Sequence, residues 1–164
     1  MIIQSIKIKS MVLPLVVCWL LSGCSSAPEL DKQTRILNTL KTMETLIEAK
    51  ALDDFMDFVS DDFALVSRGY NKKDAERLLR IRLMRNKNIH VHQVTKNLTW
   101  TDGGDSQVEV TVVAAVAGSD ISLTDLPTFR GEMAKFKVNF ELIDGEYLIT
   151  EATWERATPA DFVL

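Results

Sequence analysis

Glu132-Met-Ala-Lys-Phe-Lys-Val-Asn-Phe-Glu-Leu-Ile143, followed by Asp144-Gly145 and then Tyr147-Leu-Ile-Thr-Glu-Ala-Thr-Trp-Glu-Arg156, decides the fold class of this chain. Phe136, Val138, Phe140 and Leu142 alternate with Lys135, Lys137, Asn139 and Glu141. A period of two puts the first set on one face of a strand and the second on the other. One dry face and one wet face are what an antiparallel sheet packed on a single side requires. Asp-Gly is a tight-hairpin dipeptide, because both residues tolerate the positive φ that a two-residue turn demands. The segment after Gly145 is therefore expected to pair back on the segment before Asp144.

The same period extends toward the N-terminus. Ser106 to Ala117 alternates through Val108, Val110, Val112 and Val116, and Ile89 to Trp100 precedes it across Asp102-Gly-Gly-Asp105. Before Ile89 the spacing is helical. Ile36, Leu37, Leu40, Met43, Leu46 and Ile47 make one stripe of a helix over 31–50. Leu52, Phe55, Met56, Phe58 and Val59 predict a short second helix, with Asp53 and Asp54 where a first turn favours negative charge. After Phe63-Ala-Leu-Val66 and the turn Arg68-Gly69-Tyr70, Asn71 is a candidate N-cap for a third helix running to about Asn86. Helices first and strands afterwards predict an α+β domain.

The helix pair ending in Asp61-Asp62-Phe63, the turn Arg68-Gly69-Tyr70 and the closing Asp144-Gly-Glu-Tyr-Leu-Ile149 with Trp154 together resemble the nuclear transport factor 2-like superfamily, which includes SnoaL-like cyclases and ketosteroid isomerases. The resemblance implies N-terminal helices packed in the concave face of a strongly bent antiparallel sheet, a cone with a pocket at its wide end. It also implies dimers through the outer sheet face as a common assembly. Fold likeness does not carry chemistry with it.

The first residues are of another kind. Lys7 and Lys9 precede the apolar run Met11 to Leu21, which ends at Ser22-Gly23-Cys24. The run falls short of the roughly 20 residues a membrane-spanning helix needs and has the charged-then-apolar order of a signal peptide. Leu21-Ser22-Gly23-Cys24 resembles the lipobox of bacterial lipoproteins. That resemblance implies cleavage before Cys24 and diacylglyceryl modification of its thiol, the good nucleophile at this place. Attachment through two or three chains is durable, at about 0.8 kcal/mol per buried methylene. Ser25, rather than Asp, resembles the sorting pattern of cargo sent to the outer membrane, so the expected place is the periplasmic face of that membrane. The expected organisation is a cleaved signal peptide over 1–23, a lipidated cysteine and short tether over 24–30, and the cone domain over 31–164. A flexible tether of that length reaches roughly 15 Å.

Removing Lys7 and Lys9 from the 19 basic residues leaves 17 against 23 acidic ones, a formal charge of −6. That balance argues against general nucleic-acid binding. The chain has two cysteines. Cys18 leaves with the leader and Cys24 is modified, so no disulfide or thiolate site is expected in the domain.

Candidate site residues are few. His90 and His92 fall two apart on one strand and hence on one face, which offers two nitrogens to a metal; nothing at ligand spacing supplies a third group. The plainer reading puts both on a wet strand face, and no metal or cofactor is expected. Lys72, Lys73, Arg77, Arg80, Arg82, Arg85 and Lys87 concentrate positive charge on the third helix. Ala75, Leu78, Leu79 and Leu83 define its buried arc, and Arg82 falls inside that arc while Arg77 and Arg80 point away. A buried guanidinium must be paired. Either a carboxylate such as Glu109 meets Arg82, or Arg82 presents its fork to an anionic ligand. The connection from Gly118 to Gly131 holds Ile121, Leu123, Leu126 and Phe129. It is too apolar for disorder and is expected to pack on its own domain, to act as a lid, or to anchor a protein partner. Phe162 and Leu164 are expected to clip onto the domain.

Three functions follow. The favoured one is a membrane-anchored, non-catalytic domain that binds an envelope protein or a ligand. The alternatives are a small enzyme of the cyclase or isomerase type, which needs an acid or base with a perturbed pKa in the pocket, and a carrier of an apolar or anionic small molecule.

Overall fold

Helix α1 (Lys32–Glu48) presents Ile36, Leu40 and Met43 as its buried stripe, and the whole domain is arranged around it. The computed structural model describes residues 31–101, 103–121, 124, 129 and 131–163. The leader, Cys24, the tether, Leu123, Leu126 and Leu164 lie outside the described residues. After α1 come α2 (Leu52–Met56), strands β1 (Val59–Leu65) and β2 (Tyr70–Asn71), helix α3 (Lys72–Arg85), strands β3 (His90–Trp100), β4 (Gln107–Ala117), β5 (Glu132–Ile143) and β6 (Glu146–Arg156), and a 3-10 turn (Pro159–Phe162). The six strands form one sheet in the order β2-β1-β6-β5-β4-β3. This is the α+β class expected from the sequence.

Two expectations change. Val59 opens a strand rather than closing the second helix. Helix α2 stops at Met56, and the Ile149 amide donates to the Phe58 carbonyl at 2.8 Å, drawing the chain into register with β6 at Val59↔Ile149. A β-branched residue fits that pleated, half-buried setting better than a helix end. The β1/β6 join is also parallel, so the sheet is antiparallel everywhere except there.

The sheet bends where its register slips. Shifts occur between Thr95 and Asn97 in β3, and between Asn139 and Phe140 against β6. An extra residue on one strand bends it and raises its twist. The bend lets Val108, Val110 and Val112 of β4 and Val138 and Phe140 of β5 close over α1 in one core. Ile36 and Val110 are fully buried, and Phe140 and Val108 nearly so; each such side chain contributes about 1.5–3 kcal/mol. Asp144 (φ 51°) and Gly145 (φ 88°) turn β5 into β6 with two consecutive positive φ angles, the two-residue hairpin read from the sequence. Asn71 caps α3, its side-chain oxygen accepting from the Asp74 amide at 3.1 Å.

The start of α1 is fastened to two hairpins. Arg35 donates to the Gly145 carbonyl at 2.6 Å, and its guanidinium lies 5.0 Å from the Tyr147 ring centre. Lys32 pairs with Asp105 and stands 4.4 Å over Trp100. The Tyr147 hydroxyl donates to the Asp105 carbonyl at 2.6 Å. The Asp105 carboxylate, by hydrogen bond first and charge second, holds the Lys32 ammonium above its ordinary range.

The buried stripe sets the stability of the domain. Ile36→Ala is expected to cost about 2–5 kcal/mol, and Leu37→Ala, at the neighbouring half-exposed position, under about 1 kcal/mol. Urea unfolding of the two variants checks the contrast.

Candidate functional site

On the concave side of the sheet the described side chains form the core. Ile36, Leu40 and Met43 of α1, Phe63 and Leu65 of β1, Leu83 of α3 and Tyr147 of β6 meet the inward residues of β4 and β5 in a single apolar cluster. No charged group enters that cluster among the described residues. Arg82 in particular does not. Its side chain is 52% exposed and pairs with Glu132 at the start of β5, while Glu109 pairs with Lys137 at 3.2 Å. The Arg82–Glu109 pairing and the burial of Arg82 are therefore corrected. The reason lies in how narrowly α3 meets its neighbours: Leu83 alone is fully buried, with Ala75 and Leu79 packed beside it, and Leu78 is 41% exposed. The buried arc is too narrow to reach Arg82 on one side or Leu78 beyond it.

The outer face of the sheet is a ladder of opposite charges. Lys135 lies 3.3 Å from Glu155, Lys137 meets Glu109, and Asn139 donates to Glu151 at 3.5 Å. Two shallow grooves run across it. One, of about 330 Å³, is lined by Thr111, Lys135, Lys137, Thr153, Trp154 and Glu155. The other, of about 320 Å³, has Thr101, Gln107, Glu109, Asn139, Thr150 and Glu151 in its walls. Arg68 stands 4.7 Å from the Trp154 ring and ties the β1–β2 turn to β6.

At one end this face is dry. Val113, Ala115, Ala157 and Phe162 form a second buried cluster, with Val94, Ile121, Phe129 and Met133 packed against it. Ile121 and Phe129 of the long connection thus pack on their own domain, and Phe162 clips down as expected; Leu123 and Leu126 lie outside the described residues. A Cβ at Gly131 would collide with the Val116 carbonyl and the Phe129 ring, so this connection requires glycine where it re-enters the sheet. His92 belongs to the same end. Its ring stacks on Phe162 at 6.3 Å and its Nε2 is buried without a hydrogen-bond partner among the described residues. His92 is thus half-buried, with the Nε2 edge of its ring covered. His90, two residues away, places Nδ1 2.9 Å from the exposed Asp120 carboxylate. Among the described residues no three His, Cys, Asp or Glu side chains are grouped to hold a metal ion.

The clip is held by its own cap. Thr158 donates both its backbone N–H and its hydroxyl to Asp161 Oδ2 at 2.8 Å. Lys96 donates to the Val163 carbonyl at 2.9 Å. The Thr158 amide first, then its hydroxyl, with Lys135 and Lys96 adding charge, hold the Asp161 carboxyl below the ordinary carboxylate range.

The feature that helical periodicity did not isolate is an exposed apolar line on α3. Leu78, Ile81 and Met84 are 41%, 42% and 80% exposed at three-residue spacing. A wheel centred away from the buried arc would have found it.

No protein-family model matches the sequence, and no curated protein matches it. Solved structures do. A protein of unknown function with a cystatin-like fold from Nostoc punctiforme superimposes with a TM-score of 0.57 at 14% identity, over 76% of this chain and 90% of that one. An NTF-2 like protein of unknown function from Shewanella oneidensis gives 0.59 at 14% identity, over 76% and 98%. Bd1075 of Bdellovibrio bacteriovorus gives 0.61 at 11% identity over 77% of this chain, which spans only 41% of that protein's length. The domain has the NTF2-like, cystatin-like fold. Identities this low speak for the fold and not for an activity.

Two consequences can be measured. Asp161 has a lowered pKa, so its contribution is full above the ordinary carboxylate range and is lost as pH falls through the depressed value. Amide protection factors over 158–163 are expected to drop in that acid window; Asp161→Asn lowers them already at neutral pH and removes the acid dependence. Arg82→Met is expected to cost less than about 1 kcal/mol in urea unfolding, as for an exposed pair.

Proposed function

We propose that this protein is a lipoprotein of a bacterial cell envelope, anchored through acylated Cys24 at the periplasmic face of the outer membrane. Its NTF2-like domain serves there as a non-catalytic, partner- or ligand-binding module. The observation that carries the reading is Leu21-Ser22-Gly23-Cys24 at the end of a charged-then-apolar leader, seven residues before a unit whose internal contacts begin at Asp31. Among the described residues no helix is long and apolar enough to cross a membrane, and an acylated cysteine attaches the chain without one.

The binding role draws support from the outside of the sheet. Apolar side chains of α1 and of the sheet form the core, and polar side chains gather on the outer face. The outer sheet face offers alternating lysines and glutamates around two grooves. Such a surface is self-complementary under a two-fold axis, which makes a second copy of the chain one partner it fits.

Expression in a Gram-negative host and intact-mass measurement test the anchor. The expected product begins at Cys24 and carries two or three acyl chains, and Cys24→Ala is expected to lack the acyl mass and to retain its leader. A mature chain with a free Cys24 thiol overturns the reading.

A further inference from the structure

We propose that the solvent-facing side of α3 is a second membrane contact, one that lays the domain onto a surface of anionic lipid headgroups. The proposal extends the anchoring reading and rests on it for the proximity of a bilayer.

Leu78, Ile81 and Met84 stand in line on this side, and Met84 is 80% exposed. Three-residue spacing keeps the line on one face of a helix. Cations flank it: helical geometry places Lys73, Arg77 and Arg85 on the same side, and Lys87 follows just past the helix end. Lys73, Arg85 and Lys87 have no carboxylate partner among the described residues, whereas Lys72 pairs with Asp61 at 2.9 Å, Arg77 with Asp74 at 3.1 Å and Arg80 with Glu76 at 2.6 Å. The unpaired cations therefore cluster beside the exposed apolar line, in a chain whose net charge is negative.

Charge selects the occupant. An apolar line one residue wide, bordered by long cationic side chains, matches the boundary between headgroups and acyl chains. There the apolar tips enter and the Lys and Arg stems reach back to phosphate. A stable protein partner usually buries about 800 Å² on each side, far more than three partly exposed side chains supply. A membrane needs no such area, because the lipid on Cys24 makes the second contact intramolecular and sets a high effective concentration. The acyl chains on Cys24 supply durable attachment, and a basic patch beside apolar tips adds the attraction to anionic headgroups that fixes how the domain lies on the surface.

The test uses the acylated protein, purified from host membranes and reconstituted in vesicles. Residues 31–164 contain no cysteine, so Met84→Cys introduces a single reactive thiol for an environment-sensitive fluorophore, with Glu155→Cys on the outer sheet face as the control. In vesicles of phosphatidylethanolamine and phosphatidylglycerol carrying brominated chains, quenching at 84 is expected to exceed that at 155 at least fivefold. Replacing phosphatidylglycerol by phosphatidylcholine, or adding Lys73→Glu/Arg85→Glu/Lys87→Glu, is expected to bring 84 down to the control. These positions are exposed, and an unchanged circular dichroism spectrum confirms that the fold survives.

Equal quenching at 84 and 155 overturns the proposal. So does a probe at 84 that ignores brominated lipid but is shielded by added envelope protein, which makes the face a protein contact. The unsubstituted chain separates this result from failure of the anchor: a thiol label taken up at Cys24 sinks the anchoring reading. Docking is then scored on the same protein by vesicle co-sedimentation, where a tenfold preference for phosphatidylglycerol supports it and no preference overturns it.

Discussion

The concave face of one bent sheet has to be covered, and α1 is what covers it. Ile36, Leu40 and Met43 meet Val108, Val110 and Phe140 in one buried apolar core, and most of the remaining architecture serves that contact. The register shifts in β3 and against β6 exist because a flat sheet could not wrap a helix. The Asp144-Gly145 turn has positive φ at both residues because a tight hairpin is needed to bring β6 back at the right twist. Lys32 and Arg35 then fasten the beginning of α1 to both hairpins with rings and carbonyls, so the helix is fixed at its end as well as along its length.

The surface of the domain is divided. The outer sheet face is ionic and matched, its far end is sealed by Phe162, Ile121 and Phe129, and α3 combines exposed apolar tips with cations that have no carboxylate partner among the described residues.

Long strands and the first helix were legible in the sequence because alternation over ten or more residues and a sustained three-four spacing leave few alternatives. Strand β1 was hidden. Asp61 and Asp62 interrupt its alternation, and its long partner β6 lies some ninety residues further on, where no local signal points. Arg82 failed for a related reason. A wheel tells which residues share a side of a helix but not how wide the neighbouring surface is, and the contact made by α3 proved narrow enough to leave both Arg82 and Leu78 in solvent. The stacking of Phe162 on His92 was not legible, because the C-terminal turn follows the last strand without any periodic cue.

The parallel β1/β6 join also governs the order in which the molecule can complete itself. Strand β1 is among the first parts of the domain to be made, and β6 is the last strand, so the middle of the sheet stays open until nearly the whole chain is present. Contacts of such long sequence separation form late and slowly. A truncated or stalled chain therefore holds an unpaired edge on both sides of the gap. The same delay keeps a growing chain from locking early, which is the condition a polypeptide must meet if it is to be threaded through a narrow channel before it folds.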